Sequence, residues 1–148
     1  MPPNIEQVND FIENESLNII SIKESNEFTI LLYQNETSYG HFVLYVNQNN
    51  QLISSNLKAT GTMEKKVLLG GVATGETPFV TIIINDNFML QKANKIKVTF
   101  EDGTEALESI NGRGIIVLYH NKENKEPVSY NEIIIYDKNL SVLYEHIE

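Results

Sequence analysis

The sequence predicts a mainly β protein, a sandwich or barrel and not a crossover α/β sheet. Three observations carry this. Short segments rich in Ile, Val, Tyr, Phe and Thr follow one another between Asn, Asp, Gly or Pro clusters. The apolar residues recur with a period of two through most of the chain after Ser16. Only two stretches, around residues 5–12 and 86–93, offer a helical period.

The first element is a short helix. Asn4 is its N-cap, and Gln7 three residues on completes a capping-box spacing. Ile5, Val8, Phe11 and Ile12 form one apolar stripe, which must dock on something because a helix this short is unstable alone. Strands are then expected at Leu17–Ile22, Glu27–Tyr33, Gly40–Val46, Gln51–Ala59, Lys66–Val72 and Phe79–Ile84. A second helical turn, "DNFMLQKA", is capped by Asp86. Further strands follow at Lys95–Glu101, Thr104–Ile110, Gly114–His120, Tyr130–Tyr136 and Leu140–Glu145.

Two stretches read as hairpins. In "KIKVTFEDGTEALES", Ile96, Val98 and Phe100 alternate with Lys95, Lys97 and Thr99, as in a strand with one buried face. Asp102-Gly103 then reads as a two-residue turn. That register sets Glu101 opposite Thr104, Val98 opposite Leu107 and Lys97 opposite Glu108. In "IIIYDKNLSVLYE" the turn is Asp137-Lys138-Asn139, and apolar residues on both faces make Tyr130–Tyr136 a central strand.

The 148 residues fit one domain, with a helix-plus-hairpin region over 1–60 and a sandwich region over 61–148. Twenty acidic against eleven basic residues leave a net charge of −9. That balance argues against nucleic acid as a partner, since binding there draws on Lys and Arg neutralising phosphates. It argues equally against an anionic membrane surface. No apolar run is long enough to span a bilayer, so no direct membrane insertion of this chain is expected. With no cysteine there is no disulfide framework, thiol catalysis or thiolate metal site.

"GGVATGETPFVTIII" (70–84) comes nearest to a chemical signature, with Glu76 where a phosphate-binding loop needs Lys. Pro78 and the β-branched run after it open no helix, so the stretch reads as a turn or bulge between strands. His41, His120 and His146 are widely separated, and "EDGTE" and "YDKNL" lack the ligand series of a calcium loop. No nucleophile elbow pairs a Ser with a His. Three glycosylation-type triplets, at Asn14, Asn35 and Asn139, carry no weight in so Asn-rich a chain. Tyr33, Tyr39, Phe42 and Tyr45 cluster on the first hairpin, and alternation buries about half of such residues. Tyr33, Tyr39 and Tyr45 are the candidate contact surface.

From Gly71 to Tyr144 the order of features resembles a known group. "GGVATGETPFVTIIINDNFMLQKANKIKVTFEDGT", "GIIVLYH" and "IIIYDKNLSVLYE" resemble uncharacterised small exported proteins, often lipoproteins, of Gram-positive bacilli. The resemblance covers about half of the chain and implies an immunoglobulin-like antiparallel β-sandwich in an extracytoplasmic setting. No export signal or lipid-accepting Cys stands in residues 1–20, so that setting requires a trimmed start; with Met1 as the true initiator the protein is cytoplasmic. The function expected is a non-catalytic binding module for a protein or cell-envelope ligand, with no cofactor and no metal. The alternatives are a small enzyme with a site of dispersed residues and a cytoplasmic acidic protein that masks a basic partner.

Overall fold

Asn4 and Gln7 do cap the first helix in the computed structural model, which describes residues 1–60, 64–75, 77–121, 123, 124 and 126–148. The chain divides into two compact units, Met1–Met63 and Glu64–Glu148.

The first unit starts with α1 (Ile5–Glu15). The Gln7 amide donates to Asn4 Oδ1 at 2.8 Å and the Asn4 amide donates to Gln7 Oε1 at 2.9 Å, a reciprocal capping box. At the other end Ser16 turns left-handed, at φ 53°. Its N–H reaches Glu13 O at 3.2 Å while the Leu17 N–H reaches Ile12 O at 3.1 Å, the paired closure of a Schellman motif. Four strands follow as an antiparallel meander in chain order: β1 (Ile19–Glu24), β2 (Thr29–Gln34), β3 (Ser38–Val46) and β4 (Leu52–Thr60). The helical stripe docks on this sheet. Val8 forms a cluster with Leu31 and Leu44, flanked by Phe11, Ile12, Phe42 and Leu52. The Phe11 and Phe42 rings meet edge-on at 5.0 Å, a favoured aromatic geometry.

The second unit holds β5 (Val67–Val72), β6 (Phe79–Ile84), α2 (Asn87–Lys92), β7 (Lys95–Phe100), β8 (Glu105–Ser109), β9 (Gly114–Leu118), β10 (Tyr130–Tyr136) and β11 (Val142–Ile147). They form two antiparallel sheets, ordered β11-β10-β7-β8 and β5-β6-β9. Both sheets feed one core: Val80, Ile82, Ile84, Ile115 and Val117 from one, and Ile96, Val98, Phe100, Ile133 and Ile135 from the other. Each such side chain contributes on the order of 2 kcal/mol by leaving water. The central strand β10 is apolar on both faces, as expected: Ile133 and Ile135 join the core, and Ile134 is buried on the other side.

The β7–β8 register differs by one residue from the expectation. Val98 stands opposite Ala106 and Lys97 opposite Leu107, instead of Leu107 and Glu108. The cause lies in the turn. The Phe100 N–H donates to Thr104 O at 2.8 Å and the Gly103 N–H to Phe100 O at 2.9 Å, so the loop is Glu101-Asp102-Gly103. Gly103, at φ +87°, is the left-handed third residue of a three-residue loop with a bulge, not the second of a two-residue turn.

The same pattern closes two more hairpins. Between β3 and β4, Asn47 and Gln51 bracket a loop whose left-handed residue is Asn50 (φ 63°). Between β10 and β11, Asp137 and Ser141 bracket one whose left-handed residue is Leu140 (φ 64°).

The glycine-rich stretch is the hairpin between β5 and β6, with Gly71 opposite Val80, and no helix follows it. Glu76, the residue at odds with a phosphate loop, lies outside the described residues.

Candidate functional site

The meander divides the three candidate tyrosines between its two faces. Tyr33 stands opposite Gly40, is 3% exposed, and packs its ring on Phe42 at 5.6 Å. Burial pushes its hydroxyl pKa up. Tyr39 and Tyr45 project from the other face of β3, where Tyr45 is exposed and Tyr39 half-buried. His41 lies between them in the alternation and is buried, which lowers its pKa to about 4. His146 Nε2 sits 3.2 Å from Glu148 Oε1, and its ring is edge-on to Tyr130 at 5.7 Å. Among the described residues no group of three or more His, Cys, Asp or Glu could hold a metal ion.

One end of the second unit gathers groups that are distant in sequence. Here the β6–β7 connection with α2, the β8–β9 connection and the β10–β11 turn meet. The backbone ties them: the Asn94 N–H donates to Tyr136 O, the Ile110 N–H to Asn94 O and the Ile84 N–H to Arg113 O, each at 2.8 Å. The Asn85 N–H adds a bond to Lys66 O at 2.7 Å, and Arg113 Nη2 donates to Asn85 Oδ1 at 2.7 Å. On this frame α2 is oriented by its ends. Asp86 Oδ2 accepts the Met89 N–H at 3.1 Å and Met89 is buried, which turns Phe88 outward. Phe88 is 66% exposed, with Lys92 Nζ 4.3 Å above its ring, a cation–π contact.

The neighbouring turn presents Leu140, which is 63% exposed in its left-handed conformation, with exposed Val142 just after it. Asp137 Oδ1 fixes the turn by accepting the Asn139 N–H at 2.8 Å and the Ser141 N–H at 2.9 Å. A bulky apolar side chain in this backbone region, turned to solvent, stores strain of the kind found at contact sites.

The charge at this end is opposite to that of the chain. Lys65, Lys66, Lys92, Lys95, Arg113 and Lys138 lie here, six of the eleven Lys and Arg residues. Among the described residues Glu64, Asp86, Glu108 and Asp137 offset them, and Asp86 and Asp137 already accept backbone N–H groups.

Among the described residues the far end is acidic and internally braced. The Tyr119 hydroxyl donates to Asp102 Oδ2, which also accepts from Asn124 Nδ2 at 3.3 Å and Asn121 Nδ2 at 3.4 Å. The Thr104 N–H donates to Asp102 Oδ1 at 3.0 Å. The Tyr119 hydroxyl, with these other donors, holds the Asp102 carboxyl well below its usual range. Tyr119 is pushed up by burial and by its bond to Asp102, so it stays a protonated donor and not a nucleophile. Glu101 accepts the Ser129 N–H at 2.7 Å, and Glu123, Glu126 and Glu148 lie nearby. Lys122 and Lys125 are outside the described residues.

No family model, curated protein or solved structure matches this chain. The basic, apolar-tipped end escaped the sequence reading because its cations come from four separate connections. Within "DNFMLQKA" one signal was available: once Asp86 caps the helix and Met89 faces inward, a 100° step turns Phe88 away from the core.

Proposed function

We propose that this protein is a non-catalytic binding module that works outside the cytoplasm and meets its partner through the loop end bearing Phe88 and Leu140. The observation that carries this is the exposure of Phe88, Leu140 and Val142 at one end, with Lys92 over the Phe88 ring and Lys138 in the turn of Leu140, on connections the backbone holds in place.

The second unit reads as an immunoglobulin-like sandwich. β5, β6 and β9 take the places of strands A, B and E, and β7, β10 and β11 those of C, F and G. The remaining strand, β8, pairs with β7 and so joins the C-F-G sheet instead of the other. In that architecture the connections at one end of the sandwich are the common recognition surface. The loop end here combines the B–C connection, which contains α2, with the F–G turn, which contains Leu140. The extracytoplasmic setting is supported by the resemblance of residues 71–144 to exported proteins of bacilli.

The test uses the full-length gene product in cells, with a photo-cross-linking residue at position 88, 140 or 123, followed by fractionation. The expected result is recovery outside the cytoplasm, with adducts from positions 88 and 140 and none from 123 at the far end. Cytoplasmic recovery would remove the exported setting. Adducts confined to position 123 would move the site.

A further inference from the structure

We infer that the loop end around Phe88 and Leu140 docks on an anionic phospholipid surface. This rests on reading that end as the binding site, and it names the partner. The whole-chain charge of −9 argues the other way only if charge is averaged over the molecule. At physiological ionic strength a charge is felt over roughly 8 Å, so the groups that meet a surface count for more than the whole-chain sum.

Three features of this end match a lipid surface better than a protein pocket. Phe88 and Leu140 stand on a one-and-a-half-turn helix and in a hairpin turn, 66% and 63% exposed. Such tips can enter the boundary between headgroups and acyl chains without a shaped partner. The cations flank these tips. Lys92 lies over Phe88, Lys138 belongs to the same turn as Leu140, and Arg113, Lys65 and Lys66 come from the neighbouring connections. Long basic side chains suit this arrangement, since their stems lie along apolar surface while their heads meet phosphate. The third feature is polarity. With Glu101, Asp102, Glu123, Glu126 and Glu148 at the opposite end, the described charges of the second unit form a dipole that an anionic surface turns cation-first.

The chain contains no tryptophan, so Phe88→Trp supplies a single fluorescent reporter at the tip. The probe is the full chain mixed with phosphatidylcholine vesicles containing about one-third phosphatidylglycerol, against phosphatidylcholine alone. Insertion predicts a blue-shifted emission with the anionic vesicles only, largely reversed in about 0.5 M salt. In co-sedimentation, the Lys92→Glu, Lys138→Glu double variant should bind at least about thirtyfold more weakly. Phe88→Ser, Leu140→Ser should also weaken binding while the thermal melt stays cooperative. Failure of the unsubstituted protein to bind anionic vesicles overturns the lipid proposal; cross-links from position 88 to a protein would then leave the binding-end reading standing. Vesicle binding that neither double variant weakens overturns both, because another face would be responsible.

Discussion

The Tyr119 hydroxyl donates to Asp102 Oδ2, tying the residue after β9 to the turn between β7 and β8. The folded-state pKa of Asp102 is depressed below the ordinary carboxyl value, so its contribution to stability is complete above about pH 5. As pH falls below about 4 the unfolded chain takes up a proton that the folded one resists, and the contribution drains away. Tyr119 has a raised pKa and acts at the other extreme: its contribution is present below about pH 10 and is lost in stronger alkali. Asp102→Asn should therefore lower the melting temperature at pH 7 and lose less than the parent between pH 5 and 2. Thermal melts across that range check this; parallel acid limbs would show that the contact is idle.

Leu140 occupies a backbone position that Asn50 and Gly103 fill in the two equivalent hairpins. Both of those residues tolerate the left-handed region better than Leu does. Leu140→Asn should stabilise the protein by about 0.5–1 kcal/mol, read as a higher melting temperature by about 2–4 °C. The same change should weaken binding at the loop end, since it removes an exposed apolar tip. A gain in stability coupled to a loss of binding is what a strained contact residue predicts.

Much of the fold was legible because it is local. The Asn4–Gln7 cap, the Asp86 cap and the alternation of Ile96, Val98 and Phe100 depend on neighbours within four residues. The β7–β8 register was not, although its turn is also local. Asp102-Gly103 suits a two-residue loop, but it also suits the last two places of a three-residue one, and only the bond from the Phe100 N–H to Thr104 O separates the two. The basic end was hidden for a different reason. Lys65, Lys92, Arg113 and Lys138 belong to different connections, and they converge only because the strands between them run back and forth through two sheets. A net charge read along the chain averages that end with the acidic one.

Gly71 should resist substitution more than any exposed turn glycine. At φ +133° it sits in the β5–β6 ladder, and a Cβ there would meet the Phe79 carbonyl oxygen at 2.2 Å. Backbone cannot swing aside as a side chain can, so Gly71→Ala should cost about 2 kcal/mol or more. Gly75, at φ +90° in the loop that follows β5 and with open space around it, should cost only the conformational penalty of about 1–2 kcal/mol. Urea titrations of the two variants give the comparison, and equal losses would mean that the close approach at Gly71 relaxes freely.

His41 makes the first unit sensitive to mild acid. It is 4% exposed, and burial lowers its pKa from the ordinary value near 6.5 to about 4. The folded chain therefore resists a proton that the unfolded chain accepts. The sign follows from linkage: the neutral ring leaves stability intact above about pH 6.5, and stability falls as pH drops from there to about 4, levelling off below. The loss across that window is on the order of 3 kcal/mol. A substitution that does not titrate, His41→Gln, should shift the whole curve by its own packing cost but flatten the slope between pH 6.5 and 4. Urea unfolding at half-unit pH intervals separates the two effects. If the variant keeps the parent's slope in that window, the proton uptake belongs to other groups and His41 takes up its proton equally in the folded and unfolded chain.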